Sequence, residues 1–128
     1  MAGGVICTID ATVDAARVAA AASDIAEQLG LRLVVADGGQ CITPEHSEAF
    51  LEGVAEAAGL HGAELHVGVG NRIQAVLELA AAEDAELIVV GRGGEAWREL
   101  VTRADCPVLV YPAANERGAE THARFSEI

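Results

Sequence analysis

The stretch that decides the fold of this chain is Glu86-Leu-Ile-Val-Val-Gly-Arg-Gly-Gly94. Its continuous apolar run, bounded by glycines, is typical of a parallel strand that helices cover on both faces. Gly91, Gly93 and Gly94 have no Cβ atom, so a backbone or a ligand can approach them closely. We therefore expect a buried strand that ends in a glycine-rich turn, and this strand end is the first candidate for a binding site.

Strands and helices alternate along the rest of the chain, without a hairpin signal between strands. Besides the opening stretch, the predicted strands are 4–9, 31–36, 64–69 and 107–111, and the predicted helices are 13–29, 45–58, 72–83 and 95–103. Such alternation predicts right-handed βαβ units and a mostly parallel, doubly wound sheet. The third strand alternates polar and apolar residues and is therefore expected at an edge of the sheet. The apolar face predicted for the first helix consists of Val18, Ala21, Ala22, Ile25 and Leu29.

Length and composition favour one soluble domain. The chain has 128 residues, of which 52% are hydrophobic, which is enough for a packed core. The domain is expected over 1–112, and residues 113–128 show no periodic pattern and are expected to form a mobile tail. No apolar run approaches the roughly 20 residues that span a bilayer, and the first residues do not resemble a secretion signal. We therefore expect a cytoplasmic protein without a membrane partner.

The charge pattern excludes several classes of function. The net charge is −12, and all eight basic residues are arginines that form no cluster, so nucleic-acid binding is not expected. The chain has no lysine, which excludes a Walker-A phosphate loop and a Schiff-base enzyme. The histidines and cysteines show neither metal-ligand spacing nor a nucleophile–base pattern: His46, His61, His66, His122, Cys7, Cys41 and Cys106. We therefore expect no metal site, no catalytic residue and no enzymatic activity.

Three features are expected at the carboxyl edge of the sheet, where open parallel sheets bind ligands. Asp10 follows the first strand, Asp37 follows the second, and Gly91 begins the turn after the fourth. The first and fourth strands are among the most apolar, so both are expected at the centre, beside the point where the winding reverses. A carboxylate there could accept hydrogen bonds from a ribose or base, while backbone N–H groups meet a phosphate. Equally, Asp10 could only cap the first helix, and a simple turn is the favoured interpretation of Asp37.

Three segments resemble the universal stress protein family, an α/β family of the adenine-nucleotide-binding type. They are Val5-Ile-Cys-Thr-Ile-Asp10, Ala85-Glu-Leu-Ile-Val-Val-Gly91 and Arg103-Ala-Asp-Cys-Pro-Val-Leu-Val110. The resemblance covers about residues 4–112. It implies a Rossmann-like, adenine nucleotide alpha hydrolase-like fold with five parallel strands in the order 3-2-1-4-5 and helices on both faces. It also implies a homodimer through the fifth strand, whose interface residues would be Val108, Leu109, Val110 and Tyr111.

The phosphate-binding loop of that family is incomplete in this chain. ATP-binding members carry a Gly-x₂-Gly-x₉-Gly-Ser/Thr pattern, whose first half Gly91 and Gly94 match. Counting nine residues onward reaches Ala104-Asp105, which is neither a glycine nor a hydroxyl residue, and a carboxylate there would repel a phosphate. Aligned from the Cys-Pro strand instead, the loop is about ten residues shorter and lacks the second pair altogether. The first strand is also followed by Ala11-Thr12 where the family usually has Gly-Ser.

Two side chains near the shortened loop have more than one interpretation. Arg92 could contact a phosphate in bidentate fashion, although a solvated arginine or a pair with Glu95 or Glu99 is favoured. Trp97 could stack on a base or cover the shortened pocket, but packing of its helix against the sheet is favoured.

The sequence therefore predicts a homodimeric, regulatory stress-protein-like module that does not hydrolyse ATP and binds it weakly or not at all. No cofactor is expected; the alternatives left open are ATP or AMP as a ligand and an unidentified protein partner. In that alternative the nucleotide lies between the ends of the first and fourth strands. The candidate residues are Asp10, Ala11, Thr12, Asp37, Gly91, Arg92, Gly93 and Gly94.

Overall fold

The computed structural model describes residues 3–9, 15–37, 43–66, 72–92, 96–112 and 120–122. Strands and helices alternate through it from β1 to β5, as the sequence predicts. In chain order they are β1 (Gly4–Ile9), α1 (Ala15–Leu29), β2 (Arg32–Asp37), α2 (Pro44–Ala58), β3 (Glu64–His66), α3 (Arg72–Ala82), β4 (Leu87–Gly91), α4 (Ala96–Arg103), β5 (Val108–Tyr111) and β6 (Glu120–His122).

The sheet has the order β3-β2-β1-β4-β5-β6. β1 to β5 are mutually parallel and follow the order 3-2-1-4-5, which confirms the predicted topology. β1 and β4 are neighbours at the centre, as their apolar sequences indicate. β6 adds an antiparallel strand beside β5 that the sequence did not predict.

The central strands contribute to two cores, one on each face of the sheet. In β1, Val5 and Cys7 point into the core beneath α1 and α2, whereas Ile6 points into the core beneath α3 and α4. All three side chains are completely buried. Successive side chains of a strand point to opposite faces, so a strand covered on both faces must be apolar throughout. This is the physical reason for the uninterrupted apolar run in the opening stretch.

The buried face of α1 differs from the predicted one. Leu29, predicted to face the sheet, is 58% exposed. Val18 and Ala22 are buried as predicted, and the other buried residues are Ala15, Ala19 and Ala26. The five buried residues also recur at helical spacing, and four of them are alanines. The prediction for Leu29 is wrong because an alanine-rich helix has several faces of small residues. The face that packs on the sheet is the one whose alanines let α1 come close, and Leu29 lies outside it.

The third strand lies at an edge of the sheet, as predicted. β3 alternates exposed and half-buried residues over Glu64–His66. The rest of the predicted strand, 67–69, lies outside the described residues. Among the helices that the structure describes, none is long and apolar enough to cross a membrane.

Candidate functional site

The carboxyl ends of β1 and β4 meet at the middle of the sheet, and the chain leaves them in opposite directions. β1 leads to β2 on one side, and β4 leads to β5 on the other. This is the point at which open α/β sheets form a crevice, because the connections on its two sides move apart. Of the candidate residues, Asp10, Ala11, Thr12, Gly93 and Gly94 lie outside the described residues, so their roles stay predictions.

Asp37 is the last residue of β2 and lies on the rim of this crevice. Its partner in the parallel pairing of β1 and β2 is Ile9, the residue that precedes Asp10. Asp37 is only 4% exposed, which is unusual for a carboxylate. Asp37 therefore lies beside the last described residue of β1, which Asp10 follows in the sequence. A carboxylate at this depth accepts hydrogen bonds in surroundings that water screens poorly.

Gly91 ends β4 directly beneath the first turns of α1. A Cβ atom at this position would lie 3.0 Å from Cγ2 of Val18. Real Cβ atoms seldom have so close a neighbour, so the absent side chain lets α1 pack against the end of β4. The first glycine of the turn therefore has a packing role in this fold.

Arg92 follows Gly91 and joins the turn to two neighbouring elements. Its backbone N–H donates to the carbonyl oxygen of Tyr111 over 2.9 Å, which extends the pairing of β4 with β5. Its guanidinium lies 5.1 Å from the centre of the Trp97 ring. Arg98 lies over the same ring at 5.0 Å. Such contacts stabilise by about 0.5–1 kcal/mol each where the groups are accessible to water.

Trp97 packs its helix against the sheet, as expected from the sequence. The ring is half-buried and contacts the core between α3, α4 and the sheet. The side chain of Arg92 extends from the glycine turn to this ring. Its guanidinium would therefore have to leave Trp97 to contact a ligand in the crevice.

Arg17 is a second cation at this edge, and sequence reasoning missed it. Its Nη2 donates to the carbonyl oxygen of Pro112 over 2.8 Å, and its guanidinium lies 5.0 Å from the centre of the Tyr111 ring. These contacts join the start of α1 to the end of β5. The two residues of the hydrogen bond are 95 positions apart, so no local pattern shows it. The available signal is topological, since the first turn of any helix that follows a strand lies at the carboxyl edge.

Ala104 and Asp105, the pair reached by counting nine residues from the glycines, lie at the opposite edge of the sheet. They follow α4 and precede β5, so they are next to the amino ends of the strands. There they line a cavity of about 220 Å³ together with Ile88 and Cys106. This cavity is separate from the crevice at the carboxyl ends. The counted pair therefore does not contribute to a phosphate site beside Gly91.

The described cysteines are placed for packing rather than reaction. Complete burial raises the pKa of the Cys7 thiol to about 12. Burial and the nearby charge of Asp105 raise the pKa of Cys106. A thiol with a raised pKa is protonated at neutral pH and is a poor nucleophile. Within the described ranges no group of three or more His, Cys, Asp or Glu side chains could hold a metal ion.

Comparisons with known proteins bear on the fold. No protein-family model and no curated protein matches the chain. A universal stress protein from Archaeoglobus fulgidus in complex with dAMP superposes with a TM-score of 0.69 and 23% identity, over 85% of this chain and 97% of that chain. Another structure of universal stress protein from Archaeoglobus fulgidus gives a TM-score of 0.70 and 21% identity, with coverages of 86% and 98%.

A universal stress protein in complex with cAMP gives a TM-score of 0.68 and 23% identity, over 85% of this chain and 97% of that chain. The similarity therefore includes nearly the whole of each solved chain and the five parallel strands of this one. At these identities it is the fold that is shared. This chain has the fold of the universal stress proteins.

Proposed function

We propose that this chain is a regulatory module of the universal-stress-protein kind that binds an adenosine monophosphate and binds ATP weakly or not at all. The observation that carries the proposal is the reversal of winding between the neighbouring strands β1 and β4, the point at which open parallel sheets bind ligands. Two solved proteins of the same fold are in complex with dAMP and with cAMP, which are both adenine nucleotides with a single phosphate. The proposed site consists of Asp10, Asp37 and the turn that begins at Gly91.

The charge of the chain favours a ligand with few phosphates. A net charge of −12 repels anions, and the repulsion grows with the number of phosphate charges. The described cations at this edge are Arg17 and Arg92, and both already contact aromatic rings. A triphosphate would need a longer row of N–H donors than a turn of the Gly91–Gly94 type supplies. The position of Ala104 and Asp105 at the other edge supports the interpretation that the second half of the family's loop is deleted.

A regulatory role is proposed rather than a catalytic one. The described thiols are protonated at neutral pH, and the glycine turn offers backbone donors instead of a nucleophile or a base. A module of this kind would respond to a nucleotide by changing its shape or its partners. A cytoplasmic location, expected from the sequence, stays part of this proposal.

The proposed ligand is tested by calorimetric titration of the full chain with AMP, cAMP and ATP. We expect micromolar binding of at least one monophosphate and binding of ATP that is at least tenfold weaker. Silence with all three nucleotides would show that the crevice is not an adenine-nucleotide site. ATP binding that equals or exceeds AMP binding would show that the incomplete loop still serves as a triphosphate site.

Arg92 and Arg98 provide a matched pair for locating the phosphate. Both guanidiniums lie over the Trp97 ring, but only Arg92 belongs to the turn. We expect Arg92→Met to weaken AMP binding about tenfold, the loss of one charged hydrogen bond of about 1.5 kcal/mol, and Arg98→Met to leave it unchanged. Trp97 is the sole tryptophan, so its fluorescence should change on titration if Arg92 leaves the ring. Equal affinities of both variants would remove Arg92 from the site.

A homodimer through β5 is part of the same proposal. Its four residues, Val108–Tyr111, are apolar or aromatic, and strands of this composition pair readily with a second chain. Sedimentation of the purified full chain tests it. A protein that stays monomeric at high micromolar concentration would show that the wild-type chain does not dimerise through β5 under these conditions, whatever the nucleotide titrations give.

A further inference from the structure

The edge of β5 that faces away from β4 is paired with a segment of the same chain. β6 (Glu120–His122) lies antiparallel to β5, and Val108, Leu109 and Val110 face His122, Thr121 and Glu120 in register. On its other side β5 is parallel to β4. The backbone groups that a second copy would need for pairing are therefore already used within the chain.

β6 also changes the chemistry of this side of the sheet. β5 has the sequence Val-Leu-Val-Tyr, with no charged residue, whereas β6 has Glu-Thr-His. An exposed apolar edge strand is a template for pairing with other chains, and charged residues at an edge discourage such pairing. With β6 in place, the outer strand on this side is short and polar.

β6 runs in the direction that a second copy of β5 would take. Two identical chains related by a two-fold axis present the same patch to each other, and their paired edge strands run antiparallel. β6 is likewise antiparallel to β5. One edge of a strand pairs with one neighbour, so β6 and the β5 strand of a second copy exclude each other.

We propose that β6 is an exchangeable cap on β5, which must leave before a second copy can pair with that edge. The inference rests on the proposed homodimer and adds that the release of β6 controls its formation. A three-residue strand gives few hydrogen bonds, so its pairing is marginal. Its attachment through residues 113–119 compensates by giving it an effective concentration on the order of millimolar. Both copies must release the cap, so a cap that leaves each edge open about a third of the time weakens the dimer about tenfold.

The test removes the pairing of β6 within the full chain. In an antiparallel pair, consecutive residues alternate between facing the neighbouring strand and facing away from it. Proline has no N–H, so Glu120→Pro together with Thr121→Pro must remove a donor that faces β5. The matched control, Glu120→Thr with Thr121→Val, keeps both N–H groups and raises strand propensity. Tryptic cleavage after Arg117 and Arg124 reports independently on release of the segment.

We expect the proline variant to be cleaved faster and to dimerise about tenfold more tightly in sedimentation equilibrium, whereas the control dimerises more weakly than the wild type. If the released variant dimerises as the wild type does, the cap is wrong while the proposed dimer stands. If release abolishes the dimer, β6 is an exchanged part of the interface instead of a cap. If all three proteins stay monomeric although the prolines release β6, the proposed homodimer and the cap both fail.

Discussion

At the scale of single residues, the contact between Gly91 and Val18 sets how closely α1 approaches the centre of the sheet. Val18 is 2% exposed, and the Cγ2 atom of its side chain occupies the space next to the missing Cβ atom. The chain at Gly91 has no positive φ, so a larger residue would suffer from the contact and not from its backbone conformation. The glycine that looks like part of a phosphate site in the sequence therefore has a structural reason of its own.

Gly91→Ala is expected to lower the free energy of unfolding by about 1–2 kcal/mol, because overpacking forces α1 or Val18 to shift. Val18→Ala makes room for the new methyl group. The loss in the free energy of unfolding of the double variant should therefore be about 1 kcal/mol smaller than the sum of the losses of the two single variants. Urea denaturation measures all three. Gly53→Ala is the control: nothing lies within 4 Å of its Cβ position, and a gain of about 0.5–1 kcal/mol is expected in the interior of α2. If the losses of the two single variants add up to that of the double variant, a side chain at position 91 does not clash with Val18.

Cys7 makes stability depend on pH on the alkaline side. Its thiol has a pKa of about 12 in the folded chain, raised by burial from an ordinary value of 9.0. Below pH 9.0 both states hold the proton, and between pH 9.0 and about 12 the unfolded chain loses the proton while the folded chain keeps it. The stabilising contribution of the neutral thiol is thus complete below pH 9.0 and decreases as pH rises through this window.

We expect the difference in the free energy of unfolding between the wild type and Cys7→Ala to become smaller as pH rises above 9. The narrowing is at most about 1.4 kcal/mol for each pH unit. Comparing the two proteins cancels the groups that titrate in both, and Cys106→Ala serves as a control whose own buried fraction is smaller. A gap that stays constant from pH 8 to pH 11 would mean that the thiol of Cys7 is not protected from ionisation.

At the scale of the elements, α2 is held by its ends as well as by its buried face. α2 begins with Thr43 as its N-cap, whose Oγ1 accepts a hydrogen bond from the backbone N–H of His46 over 3.2 Å. Pro44 follows at the first helical position, where its missing N–H costs nothing. The helix ends at Gly59, whose φ of 70° is the left-handed conformation that glycine adopts most easily. These signals are local, because a threonine followed by a proline is typical of the start of a helix.

Thr43→Ala is expected to destabilise the chain by about 1 kcal/mol, the usual effect of losing an N-cap side chain. Thr43→Ser keeps the hydroxyl oxygen and should retain most of that stability. Both are measured by urea denaturation at neutral pH. If serine and alanine are equally destabilising, the hydrogen bond to His46 does not hold the start of α2.

At the scale of the whole molecule, electrostatic repulsion opposes the fold. The chain carries a net charge of −12, and its exposed ion pairs offset only part of the repulsion. Arg32 contacts Glu64 at 3.3 Å and also contacts Glu83, while Arg103 contacts Glu99 at 2.5 Å. Exposed pairs of this kind contribute about 0–1 kcal/mol each.

We expect the free energy of unfolding to rise with salt, by on the order of 1 kcal/mol between 20 mM and 300 mM NaCl. Salt screens repulsion and attraction alike, so the sign of the change shows which of the two dominates. A parallel series in KCl controls for effects specific to the cation. Stability that falls with salt in both series would show that the ion pairs of Arg32 and Arg103 outweigh the repulsion.

Much of the architecture was predictable because its causes are local. The apolar run at 87–90 indicates a strand buried on both faces, and the strands alternate with helical patterns of sufficient length for parallel pairing. The greater apolar character of the first and fourth strands predicted them at the centre, and the polar alternation in the sequence 64–69 predicted the third strand at an edge. The location of Asp37 and Gly91 at the carboxyl edge was predictable because the carboxyl ends of parallel strands share one edge of the sheet.

Other features depend on which distant residues the fold brings together. The sequence by itself determined the alternation, the central strands, the capping of α2 and the family resemblance. Only the tertiary structure decided that alanines and not Leu29 face the sheet, that Arg17 binds the end of β5, and that β6 covers the same strand. Periodicity and caps act between residues a few positions apart, so they are visible in a sequence. A contact between α1 and Pro112, or between β5 and β6, depends on how whole elements pack, and that is fixed only when the sheet is assembled.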